Sequence, residues 1–306
     1  MTGLRWTRKT TQKLANWLTA NGQRISANTV ARLLRNMNFA LRTNRKRIES
    51  GGKKKVKPED RDRQFKYINR MRKRFTREGL PIISIDAKKR ELVGPFRNSG
   101  RTWARKGREV YDHDFPSDSE GIGIPHSIFD TVRNRGSVCI GTSRETPAFA
   151  VDHLTRWWRR EGKKAYPKSK ELLILADCGG SNAARSRVFK WRLHQQLCIP
   201  HNIKVTLCHY PPGSSKWNPI EHRMLCQIQN NWAGHPLDSY ETILKYCRTT
   251  KTSTDLKVTA HLSRKVYEKG ERIPDRKMKM LPIERHKTFP AWNYSIPPRP
   301  LVQEKM

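Results

Sequence analysis

Three acidic residues stand at comparable points of a chain that is poor in acids. Asp86 and Asp177 each end an apolar stretch typical of a buried strand, and Glu221 stands in the first turn of a stretch typical of a helix. Two neighbouring strands that end in Asp bring both carboxylates to one edge of a mixed sheet, where a following helix can add a third. Taken singly, each acid would equally serve as a turn former, an N-cap or a partner of the helix dipole. Their combination predicts a carboxylate cluster.

Clustered carboxylates are ligands for hard divalent cations such as Mg²⁺ and Mn²⁺, which prefer oxygen. Three of them suffice to hold two ions about 3.5 to 4 Å apart. Such a pair favours in-line phosphoryl transfer, because one ion lowers the pKa of the attacking water or 3′-hydroxyl and the other stabilises the departing oxygen. The chemistry predicted for the three acids is therefore metal-dependent attack on a phosphodiester.

The elements that must position these acids alternate between strands and helices. Predicted strands cover 81–86, 91–96, 136–141, 171–177 and 203–208. Predicted helices cover 58–79, 146–160, 181–198, 219–231 and 237–246. From residue 81 to 231 the order is three strands, helix, strand, helix, strand, helix, which indicates an α/β fold with a mixed sheet flanked by helices. The Pro-rich stretch 295–300 is expected to lie irregularly on the surface.

Two short predicted helices precede this region. One covers residues 10–20 and stops at Gly22, and the second begins after the predicted N-cap Ser26. Its apolar stripe leaves Arg32 and Arg35 on the outer face, an arrangement typical of a DNA-reading helix-turn-helix. A plain pair of antiparallel helices would show the same pattern.

The residues between these helices and the α/β region are strongly basic. Too few of them are apolar to bury a core, so we predict a linker in which Arg45, Lys46 and Arg47 contact phosphates. The predicted division is a helix-turn-helix segment, a basic linker, an α/β catalytic domain and a C-terminal basic extension, at 1–41, 42–57, 58–235 and 236–306.

The composition points to a polyanionic partner. Among 306 residues, 63 are Lys or Arg and 27 are Asp or Glu, which gives a formal net charge of +36. Neutralising nucleic-acid phosphates releases counterions, so nucleic acid is the first candidate, although ribosomal and chaperone-like basic proteins share such a balance. The hydrophobic share of 35% still supplies a core.

The cysteines and the N-terminus predict a reduced compartment. The six cysteines include no CxxC pair, and the sequence shows neither a signal peptide nor an apolar stretch of about 20 residues. We therefore expect a cytoplasmic, nucleoid-associated protein. A zinc site formed by Cys198, His201, Cys208 and His209 lacks the usual ligand spacing and is disfavoured.

Several ungapped blocks resemble a known family. Residues 83–94, 175–182 and 208–223 are similar to the catalytic blocks of bacterial insertion-sequence transposases of the ISAzo family, within the DDE superfamily. The likeness runs from about Leu4 to Tyr294 and includes 44–46, 113–116 and 292–294. It implies a core similar to those of retroviral integrases and ribonuclease H.

The resemblance implies roles for individual residues. Asp86, Asp177 and Glu221 would be the catalytic acids and would bind two Mg²⁺ or Mn²⁺ ions. Lys216, Asn218, His222 and Arg223 are assigned to the DNA side of the site, although Asn218 and Pro219 would equally serve to begin the helix. The implied partners are the double-stranded DNA of the transposon ends and target, with a homo-oligomer assembled on it.

The favoured reaction is hydrolysis at the transposon end, followed by attack of the exposed 3′-hydroxyl on target DNA. A ribonuclease H-like nuclease would cut without joining, and a catalytically inactive remnant would act as a DNA-binding protein. Two departures from the family favour the remnant: the chain begins almost at the helix-turn-helix, and Cys178 replaces an expected small residue.

Overall fold

A computed structural model describes residues 9–41 and 56–298. The chain divides into two compact units, one within Met1–Lys53 and one within Lys54–Met306. Arg45, Lys46 and Arg47, which the sequence assigns to phosphate contacts, lie outside the described residues.

The first unit contains two helices, α1 (Thr11–Ala20) and α2 (Ala27–Asn36). Each begins at a hydroxyl side chain, because Thr10 accepts from the backbone N–H of Lys13 and Ser26 accepts from that of Thr29. Gly22 turns the chain between them with φ of +86°, a conformation that favours glycine. Arg32 and Arg35 are exposed on α2, while the reading of DNA by this helix pair stays a prediction.

The second unit is built on one mixed sheet with nine strands in the described part of the chain. The strands are β1 (Ile82–Ala87), β2 (Glu91–Val93), β3 (Gly121–Asp130), β4 (Arg135–Gly141), β5 (Glu171–Ala176), β6 (Lys204–His209), β7 (Lys257–Ser263), β8 (Glu284–Arg285) and β9 (Asn293–Ile296). Their order is β7-β4-β3-β1-β5-β6-β9-β8, and β2 pairs with β3. Strands β1, β5 and β6 are parallel, while β3 is antiparallel to both β1 and β4. The predicted α/β fold with a mixed sheet is confirmed.

Helices cover both faces of this sheet. They are α3 (Pro58–Arg77), α4 (Pro147–Trp157), α5 (Lys163–Ala165), α6 (Arg187–Leu193), α7 (Ile199–His201), α8 (Cys226–Asn231), α9 (Tyr240–Thr249) and α10 (Asp275–Lys279). Three π-helical turns continue or precede them, at Trp158–Gly162, His194–Cys198 and Glu221–Leu225. Among the described helices, none is long and apolar enough to cross a membrane.

Alternation along β1 decides which side chains meet which helices. Ile83 and Ile85 join the core formed with α4 and α6, whereas Ile82 joins the core formed with α3. Ser84 and Asp86 therefore point to the same face as Ile82, because successive side chains of a strand alternate. The buried strand end can then hold a carboxylate on the face opposite α4 and α6.

The structure differs from the predicted elements in two regions. Strand β3 was not predicted, because Gly121, Gly123 and Pro125 argue against a strand in isolation; pairing with both β1 and β4 overrides that local preference. The expected extension at 236–306 instead contributes β7, β8 and β9 to the sheet. Within the expected irregular end, Ile296 is buried and pairs with Val205 of β6.

Candidate active site

Asp86 lies near the C-terminal end of the central strand β1, at the edge of the sheet where the parallel strands end. Its side chain is only 8% exposed, and its Oδ1 accepts a hydrogen bond of 2.8 Å from the N–H of Ala87. Ser127 of β3 lies directly opposite in register, and its buried hydroxyl has no partner among the described residues. Asp86 is thus nearly buried and lies opposite a Ser127 hydroxyl that has no hydrogen-bond partner among the described residues.

Asp177 immediately follows β5, the parallel neighbour of β1. The next residues form a tight turn in which Gly180 has φ of +60°. A Cβ atom added to Gly179 would lie 3.5 Å from Oδ2 of Asp177. Cys178 fits this turn because its thiol donates to the carbonyl oxygen of Tyr210 at 3.0 Å. The substitution that the sequence suggested was unfavourable is therefore accommodated.

Glu221 is brought to the site by a loop that is latched onto β1. Asn218 is fully buried and donates from Nδ2 to the carbonyl oxygen of Ile85 at 3.2 Å, while its Oδ1 accepts from the Ser84 hydroxyl. The Ser84 oxygen in turn accepts from the N–H of Ile220 at 3.3 Å. These bonds fix the start of the helix next to the strand that carries Asp86, and they place Glu221 beside it.

The three carboxylates interact strongly. Burial, a side-chain hydrogen bond to Glu221 and the negative charges of Asp177 and Glu221 raise the pKa of Asp86 to about 8. Burial also raises the pKa of Asp177, with Glu221 adding to the effect. The structure therefore brings the three predicted acids together, and the raised pKa of Asp86 favours its protonated form at neutral pH.

A fourth acid, Glu145, lies next to this cluster and was not predicted. Its charge adds to the rise in the pKa of Asp177, and its Oε1 accepts from the N–H of Ser181 at 3.2 Å. Glu145 precedes Thr146, the N-cap of α4. Its position two residues before α4, in the segment between β4 and α4, carried no signal that sequence spacing alone would reveal.

The donor set fits a hard divalent cation, since it consists of carboxylates whose mutual repulsion a cation would relieve. Among the described residues, no three His, Cys, Asp or Glu side chains converge closely enough to enclose one ion. The acids are adjacent but not arranged around a single point. Cys198 and Cys208, two residues of the zinc site disfavoured by sequence, are buried in different core clusters.

The residues assigned to the DNA side fall into two groups. Lys216 is exposed in the loop before the helix and His222 is exposed in the π-helical turn Glu221–Leu225, and the His222 ring contacts the Lys216 carbonyl oxygen. Arg223 donates to the carbonyl oxygen of Thr131 at 3.1 Å and to Asn134 at 3.2 Å, so it braces the β3–β4 turn. Asn218, which the sequence also assigns to the DNA side, is buried, and both polar atoms of its amide are bound to β1.

A basic groove adjoins Glu221. It has a volume of 850 Å³, and its lining includes exposed cations from the β1–β2 turn and the segment after β2, namely Lys89, Arg90 and Arg97. Lys88 also lines it, but its ammonium pairs with Glu91 at 2.7 Å and lies 4.3 Å from the ring of Trp232. Sequence reasoning missed these groove residues, because Lys and Arg are too frequent in this chain to single out any of them.

The whole sequence matches a known family. Residues 1–298 match the family described as Rhodopirellula transposase DDE domain. The chain belongs to this DDE transposase family. The predicted family resemblance is thereby confirmed, and the acids named above lie within the matched region.

Similar solved structures are also transposases. The Mos1 transposase paired-end complex with left transposon end is 15% identical, with 80% of this chain and 72% of that chain covered and a TM-score of 0.45. The catalytic domain of Mos1 mariner transposase is 13% identical, with 63% and 81% covered and a TM-score of 0.41. Among curated proteins, no sequence match is found.

Proposed function

We propose that this DDE transposase family member cuts DNA at the ends of an insertion sequence and joins the exposed 3′-hydroxyl to target DNA, using Asp86, Asp177 and Glu221. The observation that carries the proposal is the meeting of these acids at one sheet edge, where Asp177 and Glu221 raise the pKa of Asp86 and Glu221 raises the pKa of Asp177. A buried cluster of like charges costs stability, so its presence favours a functional reason for keeping it.

Two steps would share the site. In the first, a water oxygen attacks the phosphorus at the transposon end, the bond to the 3′-oxygen breaks, and that oxygen leaves as a hydroxyl. In the second, this hydroxyl attacks a target phosphodiester and displaces the target's 3′-oxygen. Mg²⁺ or Mn²⁺ held by the three acids would supply charge stabilisation for both steps.

The chain's own residues prepare the site for these steps. The Asn218 latch holds Glu221 against β1, and the turn after β5 holds Asp177 beside it. The cations lining the groove beside Glu221 suit a DNA strand, because their charges face a cavity that opens next to the acids. We infer double-stranded DNA as the partner, with synapsis of two ends by an oligomer and residence with the nucleoid in the cytoplasm.

The first experiment measures cleavage and joining of a labelled duplex that carries the element's terminal repeat, with Mg²⁺ or Mn²⁺. Asp177→Asn keeps the side chain's shape but removes its charge, so we expect at least a 100-fold loss of joined product with little change in DNA affinity. A matched control, Asp152→Asn, changes an acid that pairs with Lys265 at 2.6 Å outside the cluster.

The products distinguish the alternatives. Nicks without joined molecules would support the nuclease, whereas binding without cleavage by the native chain would support a DNA-binding remnant. Joined product that survives in Asp177→Asn would contradict the assignment of the acids.

A further inference from the structure

The loop that carries Asp177 has a second anchor on the opposite face of the sheet. Asn182, five residues further on, is 1% exposed and is contacted by two buried histidines from different strands. His126 pairs in register with Ala87 of β1, and His209 pairs with Ala176 of β5. Each histidine therefore lies beside the residue next to a site aspartate, on the face that packs against α4 and α6.

His126 holds the side chain of Asn182. Its Nε2 lies 3.3 Å from Oδ1 of Asn182, and its Nδ1 lies 2.9 Å from Nδ1 of His153. Burial lowers the pKa of His126 to about 4, so the ring is neutral and carries one hydrogen. With Asn182 Oδ1 as acceptor, that hydrogen is on Nε2, and Nδ1 accepts from His153.

The chain of bonds continues away from the loop. His153 then donates from Nδ1, which leaves its Nε2 to accept from the hydroxyl of Ser137 at 3.2 Å. One arrangement of hydrogens thus satisfies Ser137, His153, His126 and Asn182 in sequence. These hydrogen bonds connect β4, α4 and β3 to the loop after β5, so regular secondary structure fixes the position of Asn182.

His209 holds the backbone of the same residue. Its Nε2 lies 3.1 Å from the carbonyl oxygen of Asn182, and its Nδ1 lies 2.9 Å from that of Trp292. Burial lowers the pKa of His209, so the neutral ring carries one hydrogen. Because the Trp292 carbonyl oxygen already accepts from the backbone N–H of His209 at 3.1 Å, we assign the ring hydrogen to Nε2, which donates to Asn182. Asn182 is therefore gripped by its side chain from β3 and by its backbone from β6.

A grip at Asn182 constrains Asp177 because the intervening chain is short. The loop crosses the sheet edge, with Asp177 beside the acids and Asn182 on the other face. It contains Gly179 and Gly180, which on their own would leave the backbone free to move. Between them and Asn182, the N–H of Ser181 is held by Glu145.

From this geometry we propose that Asn182, clamped by His126 and His209, is the positioning residue that fixes Asp177 for metal binding and catalysis. The inference rests on the proposed function but concerns residues that do not touch the reacting atoms. Partners of this kind, which hold a metal ligand without touching the metal, commonly change metal affinity or activity by about 10- to 100-fold when removed.

The test compares two removals with one conservative change. Asn182→Ala deletes the acceptor and leaves the His209 bond to the backbone, while His126→Leu deletes the donor. His126→Gln replaces the donor with an amide N–H at a similar reach. The control is His261→Gln, because His261 packs on His153 with ring centroids 5.3 Å apart and has no hydrogen bond to Asn182 in the described structure.

Mn²⁺ binding is measured by calorimetry on the full chain, together with hydrogen exchange of the amides at 178–181 and thermal unfolding. We expect Asn182→Ala and His126→Leu to weaken Mn²⁺ binding by about 10- to 100-fold and to speed exchange of the loop amides. His126→Gln should recover most of the affinity, and His261→Gln should match the native chain. With terminal-repeat DNA, kcat should fall while KM for DNA stays constant.

Each unfavourable result has a separate meaning. Native Mn²⁺ affinity and loop exchange in Asn182→Ala would overturn the clamp, and so would an equal loss in His261→Gln. If His126→Leu unfolds, Asn182→Ala decides alone. A native chain that binds Mn²⁺ but never cleaves DNA would contradict the proposed function and leave the binding test of the clamp intact.

Discussion

Asp86 is the residue at which stability and function oppose each other. It is nearly buried among acids, and its pKa is raised to about 8 from the 3.8 of a free side chain. Between these two pH values, the folded protein therefore keeps a proton on Asp86 that the unfolded chain has already released. Stability is fully present below about pH 4 and is lost as pH rises toward about 8, because unfolding then relieves the buried charge.

Asp86→Asn should therefore stabilise the metal-free protein at pH 8 by about 1 to 3 kcal/mol, the usual cost of an uncompensated buried polar group. The gain should shrink toward pH 5, where the native acid is protonated. Urea unfolding across this pH range in a chelator measures the difference. Glu109→Gln is the control, because the Glu109 side chain is 93% exposed.

Addition of Mg²⁺ should raise the stability of the native chain and leave Asp86→Asn nearly unchanged, since a cation that binds only the folded state stabilises it by mass action. Equal pH slopes for native chain and Asp86→Asn would refute the role given to this carboxyl.

The loop before α8 is the element that sets the third acid. Asn218→Ala would remove the bonds to Ser84 and Ile85, which leaves buried polar groups unsatisfied, and should cost about 1 to 3 kcal/mol of unfolding free energy. Strand joining should fall further than stability predicts, because Glu221 loses its fixed distance from β1. Chemical unfolding and the joining assay measure both effects.

Asn230→Ala is the matched control, because Asn230 is exposed on α8 and should change stability by no more than about 0.5 kcal/mol. A loss of joining that simply follows the unfolded fraction would argue against a positioning role for Asn218.

The elements that were predicted from sequence share a local signal. Strands β1 and β5 are mostly apolar, and a site acid stands at or just after the end of each, so their pattern and their site residues coincide. Strand β3 carries glycines and a proline, and only its two neighbours make it a strand. The same limit applies to Glu145 and Asn182, whose partners come from distant segments and leave no periodic trace in the sequence.

At the scale of the whole molecule, we expect charge to govern DNA affinity. Removing a cation that binds one phosphate should reduce the slope of log affinity against log salt by about 1. We expect this change for Lys89→Ala, Arg90→Ala and Arg97→Ala, which remove exposed cations lining the groove beside Glu221. Fluorescence titrations of a terminal-repeat duplex at several salt concentrations measure the slope.

Lys66→Ala supplies the comparison, because the Lys66 ammonium already pairs with Asp62 at 2.7 Å. An unchanged slope in all three groove variants would place the DNA elsewhere on the surface.

The pairing of β9 with β6 also bears on how the protein is made. The ribosome synthesises β6 (204–209) long before its partner strand β9 (293–296). Strand β4 is likewise synthesised long before its partner strand β7. Until then β6 presents an open edge, which invites pairing with other chains, and such distant contacts slow folding. His209, which contacts the Asp177 loop, also contacts the carbonyl oxygen of Trp292, so this second contact of His209 also forms late in synthesis. A nascent chain stalled before residue 290 would carry every site acid yet lack the frame that aligns them.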